Sequence, residues 1–136
     1  MIRYISAFIL FSLLTACTKT DPTPASELVG NWRLTTYARN GSTSVNPVAV
    51  PLDKTVLVTF AKDGTFNETY ANTRPIDYSF LGCGGGSYEI VGKQIKIRAV
   101  CMSSLAGQLF DVVSVDARRL SLGSGSALGF YTFERQ

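Results

Sequence analysis

The chain has 136 residues, enough for one domain, and its net charge of +3 is small for that length. It contains no histidine, which excludes Ser-His-Asp and Cys-His catalysis, imidazole bases and histidine-containing metal sites. The basic residues form no run, so the sequence predicts no nucleic-acid partner, and no cofactor or metal is expected.

Residues 1–16 have the layout of a secretory signal peptide. Arg3 precedes an apolar run from Tyr4 to Leu14, which is shorter than the roughly 20 residues of a membrane-spanning helix. The tail Leu14-Thr15-Ala16-Cys17 resembles a bacterial lipobox, whose cysteine is lipidated and becomes the mature N-terminus. The resemblance implies a lipoprotein held by acyl chains such as palmitate on Cys17. We expect it in the cell envelope, at the outer membrane, facing either the periplasm or the surface.

Residues 17–27 are predicted to be the lipidated N-terminus and a flexible spacer, because polar residues and prolines dominate them. The composition changes at Glu27, and the folded domain is placed at 28–136. Its first strand, 28–37, alternates with Trp32 and Leu34 on one face. A long loop is predicted at 38–53, with a short extended piece at 45–50.

The remaining pattern is a series of short strands joined by turns. Strands 55–60 and 65–70 flank Asp63-Gly64 and form the clearest hairpin. Further strands are predicted at 76–81, 87–91, 94–100, 109–115, 119–122 and 128–135. Without a convincing amphipathic helix, the pattern indicates an all-β, antiparallel barrel or sandwich. A barrel is favoured because closure removes exposed edges, and about eight strands leave room for side chains or one small ligand.

Two cysteines, Cys83 and Cys101, remain besides Cys17. Export of the chain favours a disulfide between them. Closing a loop of this size stabilises a domain by about 3 kcal/mol on the chain-entropy model. A metal site is disfavoured because two thiolates have no third or fourth ligand nearby.

The candidate ligand-binding residues are aromatic side chains around one acid. Phe66, Glu68 and Tyr70 share one strand face. If that face points inward, Glu68 is a carboxylate among aromatics that can orient a ligand; if outward, it is an ordinary solvated acid. Tyr88 completes this candidate set. The other aromatics either line a pocket or form the core: Tyr78, Phe80, Phe110, Phe130, Tyr131 and Phe133.

No catalytic residues are predicted. The aspartates lie mostly at turns and strand ends, and no pair has a spacing that suggests acid–base work. The serines lack an activating histidine or a Ser-x-x-Lys motif, so we expect a protein that is not an enzyme.

The order of several short motifs resembles that of the small bacterial lipocalin-like lipoproteins. The motifs are Gly30-x-Trp32, Phe60-x-x-Asp63-Gly64-Thr65-Phe66, Gly86-Ser87-Tyr88-Glu89-Ile90, Arg119-Leu120-Ser121-Leu122 and Phe130-Tyr131-Thr132-Phe133-Glu134-Arg135. The resemblance implies an up-and-down barrel whose closed end is plugged by Trp32, with Arg135 packed on it and loop 38–53 at the lid. Classical lipocalins carry a further helix after the barrel, whereas this sequence ends at Gln136, and that departure argues against a roomy cavity.

A weaker resemblance is to the META-type domains, carried by Gly82-Cys83, Gly86-Ser87-Tyr88 and Cys101. It departs from them because Gly84 follows where asparagine is usual. The lipocalin resemblance implies a lipoprotein that binds a small hydrophobic or amphipathic molecule. The alternative is a protein-interaction module of the envelope, either a scaffold or an enzyme inhibitor.

Overall fold

The computed structural model describes residues 24–38, 47–124 and 129–136, and it is nearly all β. The elements are α1 (Pro24–Leu28), β1 (Gly30–Ala38), β2 (Val48–Ala49), β3 (Thr55–Phe60), β4 (Thr65–Ala71), β5 (Gly85–Val91), β6 (Gln94–Ala99), β7 (Gln108–Val115), β8 (Arg119–Ser124) and β9 (Gly129–Arg135). Within these ranges, no helix has the length and apolar character needed to cross a membrane. The predicted signal peptide and Cys17 lie outside the described residues.

Eight strands close into an antiparallel barrel. Strands β3 to β8 each pair with the next along the chain, and β1 pairs with both β3 and β9. The two-residue strand β2 pairs with the end of β1 through Thr36 and Tyr37. The up-and-down, lipocalin-like barrel predicted from the sequence is therefore confirmed.

Alternation along the strands puts one face of the sheet inside the barrel. In β3 the buried residues are Val56, Val58 and Phe60, each separated by a half-buried residue. Strand β6 repeats the pattern with Ile95 and Ile97 inside. Because side chains of a strand point to opposite faces in turn, these apolar residues form a single core along the barrel axis.

One end of the barrel is closed by Trp32, which is fully buried. Its indole Nε1–H donates to the Leu28 carbonyl of α1 at 2.7 Å. The Arg135 guanidinium carbon lies 4.3 Å from the centre of the indole ring, and Nη1 donates to the Val29 carbonyl. Gly30 has a φ of 148°, and a Cβ there would lie 2.6 Å from Arg135 Nη1. The predicted packing of Arg135 on Trp32 is confirmed.

Three segments differ from their predictions. The strand predicted at 76–81 is wrong: the chain there forms turns and enters the barrel, because its N–H groups bond to Glu68 instead of a ladder. The last residues of the predicted spacer 17–27 form α1. The extended piece predicted at 45–50 is represented by β2, while residues 39–46 of the predicted lid loop lie outside the described ranges.

Candidate functional site

The candidate site lies at the mouth, which we define as the barrel end opposite α1. Turns at the closed end are short, whereas the connections 72–84 and 100–107 at the mouth are long. The first of them carries Ser79–Gly82 into the barrel, and we call these four residues the plug. The Arg74–Asp77 ion pair, with Nε and Oδ2 3.0 Å apart, braces the turn before the plug. Hydrogen bonding to Arg74 holds the pKa of Asp77 below its ordinary value.

Glu68 holds the plug by its backbone. Its side chain points inward from β4 and is only 2% exposed. Oε1 accepts the N–H of Phe80 at 2.7 Å, and Oε2 accepts those of Leu81 and Gly82 at 3.0 and 3.1 Å. A buried carboxylate requires such donors, since an unpaired charge in an apolar interior is very costly. Glu68 is therefore the residue that fixes the plug inside the barrel.

Phe80 fills the barrel behind the mouth. Its ring lies 4.8 Å from Tyr131, 5.0 Å from Phe110 and 5.4 Å from Phe133, measured between ring centroids. The Tyr131 and Phe133 contacts are edge-to-face, the geometry that the ring quadrupoles favour. The ring is 2% exposed and belongs to the core. The upper interior of the barrel is thus occupied by a side chain from a connection and not from a strand.

Cys83 and Cys101 lie at disulfide distance, with their Cα atoms 5.4 Å apart. Cys83 follows directly on the plug and is buried, while Cys101 opens the connection between β6 and β7 and is exposed. The bridge therefore ties the end of the plug to the start of the β6–β7 connection, where the paired strands β5 and β6 meet the mouth.

An open groove of about 810 Å³ lies between the plug and the β6–β7 connection. Its apolar lining comes from the disulfide and from Ile76, Phe80, Leu81, Met102 and Tyr131. Its polar lining is uncharged, with the hydroxyls of Ser103 and Ser104 and the carboxamide of Gln108. Ligand sites commonly combine apolar walls with a few polar groups, and volumes of 300–1,000 Å³ are typical. The groove therefore has the size and chemistry to hold a small amphipathic molecule.

The four predicted ligand-binding residues lie inside the barrel, and none of them lines the groove. Phe66 packs between Phe60 and Phe80, at 5.7 and 6.2 Å. Glu68 points inward, as one of the two alternatives expected, but its oxygens bind the plug. Tyr70 is half-buried and packs against the core.

Tyr88 lies near the closed end, away from the groove. Its hydroxyl donates to the Ala61 carbonyl at 2.8 Å, and its ring meets Phe60 edge-on at 5.0 Å. Burial, with a contribution from the charge of Asp63, raises the pKa of Tyr88 above its ordinary value. This position makes Tyr88 a structural residue of the barrel base.

Sequence reasoning missed the non-aromatic groove residues Ile76, Leu81 and Met102. The sequence pattern predicts a strand over Ile76 and Leu81, and Met102 lies in a connection without periodicity. Phe80 and Tyr131 belong to the aromatic residues for which the sequence allows either a pocket or a core position. In the structure each of them is buried in the core and also lines the groove. The only available signal for the groove was the pair of cysteines, which brings the two connections together.

A closed base, an eight-stranded barrel and a groove at the mouth define a barrel of the lipocalin type. A scan against protein families matches residues 28–122 to the lipocalin-like domain. The chain therefore belongs to the lipocalin-like domain family. Comparison with curated proteins gives no match.

Two solved structures from Bacteroides are similar to the chain. One is a lipocalin-like protein from Bacteroides uniformis, with 16% identity, a TM-score of 0.43, and coverage of 81% of this chain and 98% of that one. The other is an uncharacterized protein from Bacteroides eggerthii, with 14% identity, a TM-score of 0.41, and coverage of 80% and 99%.

Proposed function

We propose that this protein is a lipid-anchored binding protein of the bacterial cell envelope, which holds a small hydrophobic or amphipathic molecule at the mouth of its barrel. The groove of about 810 Å³ beside the plug carries the proposal. Family membership supports a binding role, and we propose that the protein performs no catalysis.

The groove suits a molecule with an apolar body and an uncharged polar group. Phe80 and Tyr131 form the floor, and Met102 contributes a flexible thioether to one wall. Methionine adapts to irregular apolar shapes and makes favourable contacts with aromatic rings. Gln108 and Ser103 add hydrogen-bonding groups at the edge, so that an apolar body can lie on the floor while a polar group reaches the rim.

Native mass spectrometry of the protein, extracted with its surrounding lipid from the envelope, tests this proposal. We expect a small molecule to co-purify with the wild type. Met102→Trp should fill the groove and lower the bound fraction at least fivefold. Val113→Trp is the matched control, because Val113 is 57% exposed on the outer wall of β7. No co-purifying molecule, or equal amounts in both variants, would contradict ligand binding at the groove.

The anchor on Cys17 is proposed from the lipobox-like tail of the signal sequence. Two or more acyl chains hold a protein stably where one chain is marginal. Replacing Cys17 with serine should move the protein from the membrane fraction to the soluble fraction, or block its maturation. Unchanged fractionation would contradict the anchor without bearing on the groove.

A second candidate function is binding of an envelope protein through the mouth. Four large apolar side chains are at least 79% exposed there, at Leu52, Ile76, Val100 and Leu105. Clustered exposed apolar side chains commonly mark interaction sites. Pull-down from envelope extract with wild type and Leu105→Ser tests this, with Val113→Ser as the control. Loss of a captured protein in the first variant alone would support an interaction module.

A further inference from the structure

The plug occupies the position inside the barrel that a bound ligand would take. Phe80 brings an aromatic ring into a cage of rings that includes Phe66, Phe110, Tyr131 and Phe133. It enters from the connection between β4 and β5, whereas the cage belongs to strands β4, β7 and β9. The interior of the barrel therefore contains a cavity-shaped space for one ring, filled by a segment that is not part of the wall.

The polar contacts of the plug also have the form of a ligand contact. Three consecutive N–H groups, those of Phe80, Leu81 and Gly82, converge on the Glu68 carboxylate at 2.7–3.1 Å. Glu68 is buried beside the ring cage. The barrel interior therefore accommodates a group that combines an apolar ring with several N–H donors.

The wall beside the plug is paired over only part of its length. Strand β4 pairs with β5 from Thr65 to Asn67, while β4 continues to Ala71. Connection 72–84 covers the rest, and Gly82 has a φ of 73°. Residues 79–82 belong to no pair of the β-ladder, and the bond from the Glu68 backbone N–H to the Gly84 carbonyl at 3.1 Å lies just beyond them, as does the Cys83 bridge. The plug can therefore leave the interior while these two restraints stay in place. Phe80 also lines the groove, so its departure would join the groove to the interior.

We propose that the plug is an internal stand-in for the ligand, and that a hydrophobic amine displaces it. The apolar group of the amine takes the place of the Phe80 ring. Its ammonium N–H groups replace the three backbone donors at Glu68. This inference rests on the proposed ligand-binding function and names both the class of ligand and its route of entry.

The charge of Glu68 selects the amine. When the plug leaves, the carboxylate loses its three donors in an apolar surrounding, and a cation beside it compensates that loss. A carboxylate ligand would place a like charge beside Glu68, and an alcohol would supply only one donor. Phenethylamine, phenethyl alcohol and hydrocinnamate share one aryl-ethyl body, so they separate the effect of charge from the effect of the ring.

The test uses the full chain in lipid nanodiscs, with empty nanodiscs as the blank. Equilibrium dialysis gives the affinity for each of the three probes, and hydrogen–deuterium exchange follows the amides of residues 80–82. We expect phenethylamine to bind at least about tenfold more tightly than hydrocinnamate, a difference of 1.4 kcal/mol. It should also speed exchange of the three plug amides at least fivefold, because they lose their acceptor.

Two glutamine variants assign the preference to Glu68. Glu68→Gln should reduce the preference for the amine to less than about threefold, since its amide is neutral. Glu89→Gln is the matched control, because Glu89 lies on the outer wall in ion pairs with Lys96 and Arg98. If Glu68→Gln fails to fold, the three-probe comparison on the wild type still decides the inference.

The outcomes separate the inference from the proposed function. Amine binding with unchanged exchange at residues 80–82 would overturn the displacement and leave the groove as the site. Equal or tighter binding of hydrocinnamate would overturn the choice of an amine. Absence of phenethylamine binding would overturn the inference, and the co-purification experiment would then decide the proposed function by itself.

Discussion

Replacement of Glu68 by glutamine is the sharpest test of how the mouth is built. The substitution keeps the shape of the side chain, so it leaves no cavity. If the amide oxygen keeps the bonds to Leu81 and Gly82, the amide nitrogen faces the Phe80 N–H, and two donors then oppose each other. An unsatisfied buried donor costs about 1–3 kcal/mol, and the two remaining bonds weaken because they lose the charge. Removal of a buried charge offsets part of this.

We therefore expect Glu68→Gln to lower the free energy of unfolding by about 2–4 kcal/mol, a large share of the roughly 5–15 kcal/mol typical of a domain. Urea unfolding followed by the fluorescence of Trp32, which is the only tryptophan and is fully buried, measures the change. The control Glu89→Gln removes only half-exposed ion pairs, which solvent screens, and should lower the free energy of unfolding far less than Glu68→Gln. Equal losses in the two variants would refute the role of Glu68 as the holder of the plug.

Three further predictions concern stability. Reduction of the Cys83–Cys101 bridge should lower the unfolding free energy by about 3 kcal/mol in urea titrations with and without dithiothreitol, and no change would exclude a formed bridge. Gly86→Ala should destabilise the protein by about 1–3 kcal/mol, because its Cβ would lie 1.9 Å from a backbone oxygen of β6. Gly84→Ala is the control, because its Cβ would meet nothing within 4 Å, and it should lower the thermal midpoint of unfolding far less. Hydrogen bonds from the backbone N–H groups of Arg118 and Arg119 lower the pKa of Asp116 in the folded protein. The stabilisation by Asp116 is therefore present above the ordinary carboxyl pKa and is lost as the pH falls through the lowered folded pKa. Asp116→Asn should make the free energy of unfolding fall less steeply on the acid side, and an unchanged slope would contradict this role.

The strands were predictable because their signal is local. Val56, Val58 and Phe60 alternate within six residues, and the same period recurs in β6. Asp63-Gly64 marks the turn between β3 and β4, where Gly64 has a φ of 82°. Such patterns need no knowledge of the rest of the chain, and they were sufficient to indicate an antiparallel barrel of about eight strands.

The plug was not predictable in this way. Ile76, Tyr78 and Phe80 alternate as a strand would, and a short apolar run does not reveal its own environment. What decides its conformation is Glu68, which is 12 residues before Phe80 and points inward only once the barrel has closed. The sequence gives the inward direction of the Glu68 side chain as one of two alternatives, but it does not show which groups that side chain binds. The groove depends on the plug, so it was hidden for the same reason.

The position of α1 relates the mouth to the proposed anchor. Because α1 packs against Trp32 and Arg135, the described chain enters at the closed end. From Cys17 to Pro24 an extended chain reaches at most about 25 Å, so an anchor on Cys17 would hold the closed end near the membrane. The six residues of β3 span about 20 Å, and the mouth lies at the far end of such strands. An anchored barrel would thus present its groove and its exposed apolar loops away from its own membrane. Its ligand would then come from the aqueous phase or from a partner protein, which fits a soluble hydrophobic amine better than a membrane lipid.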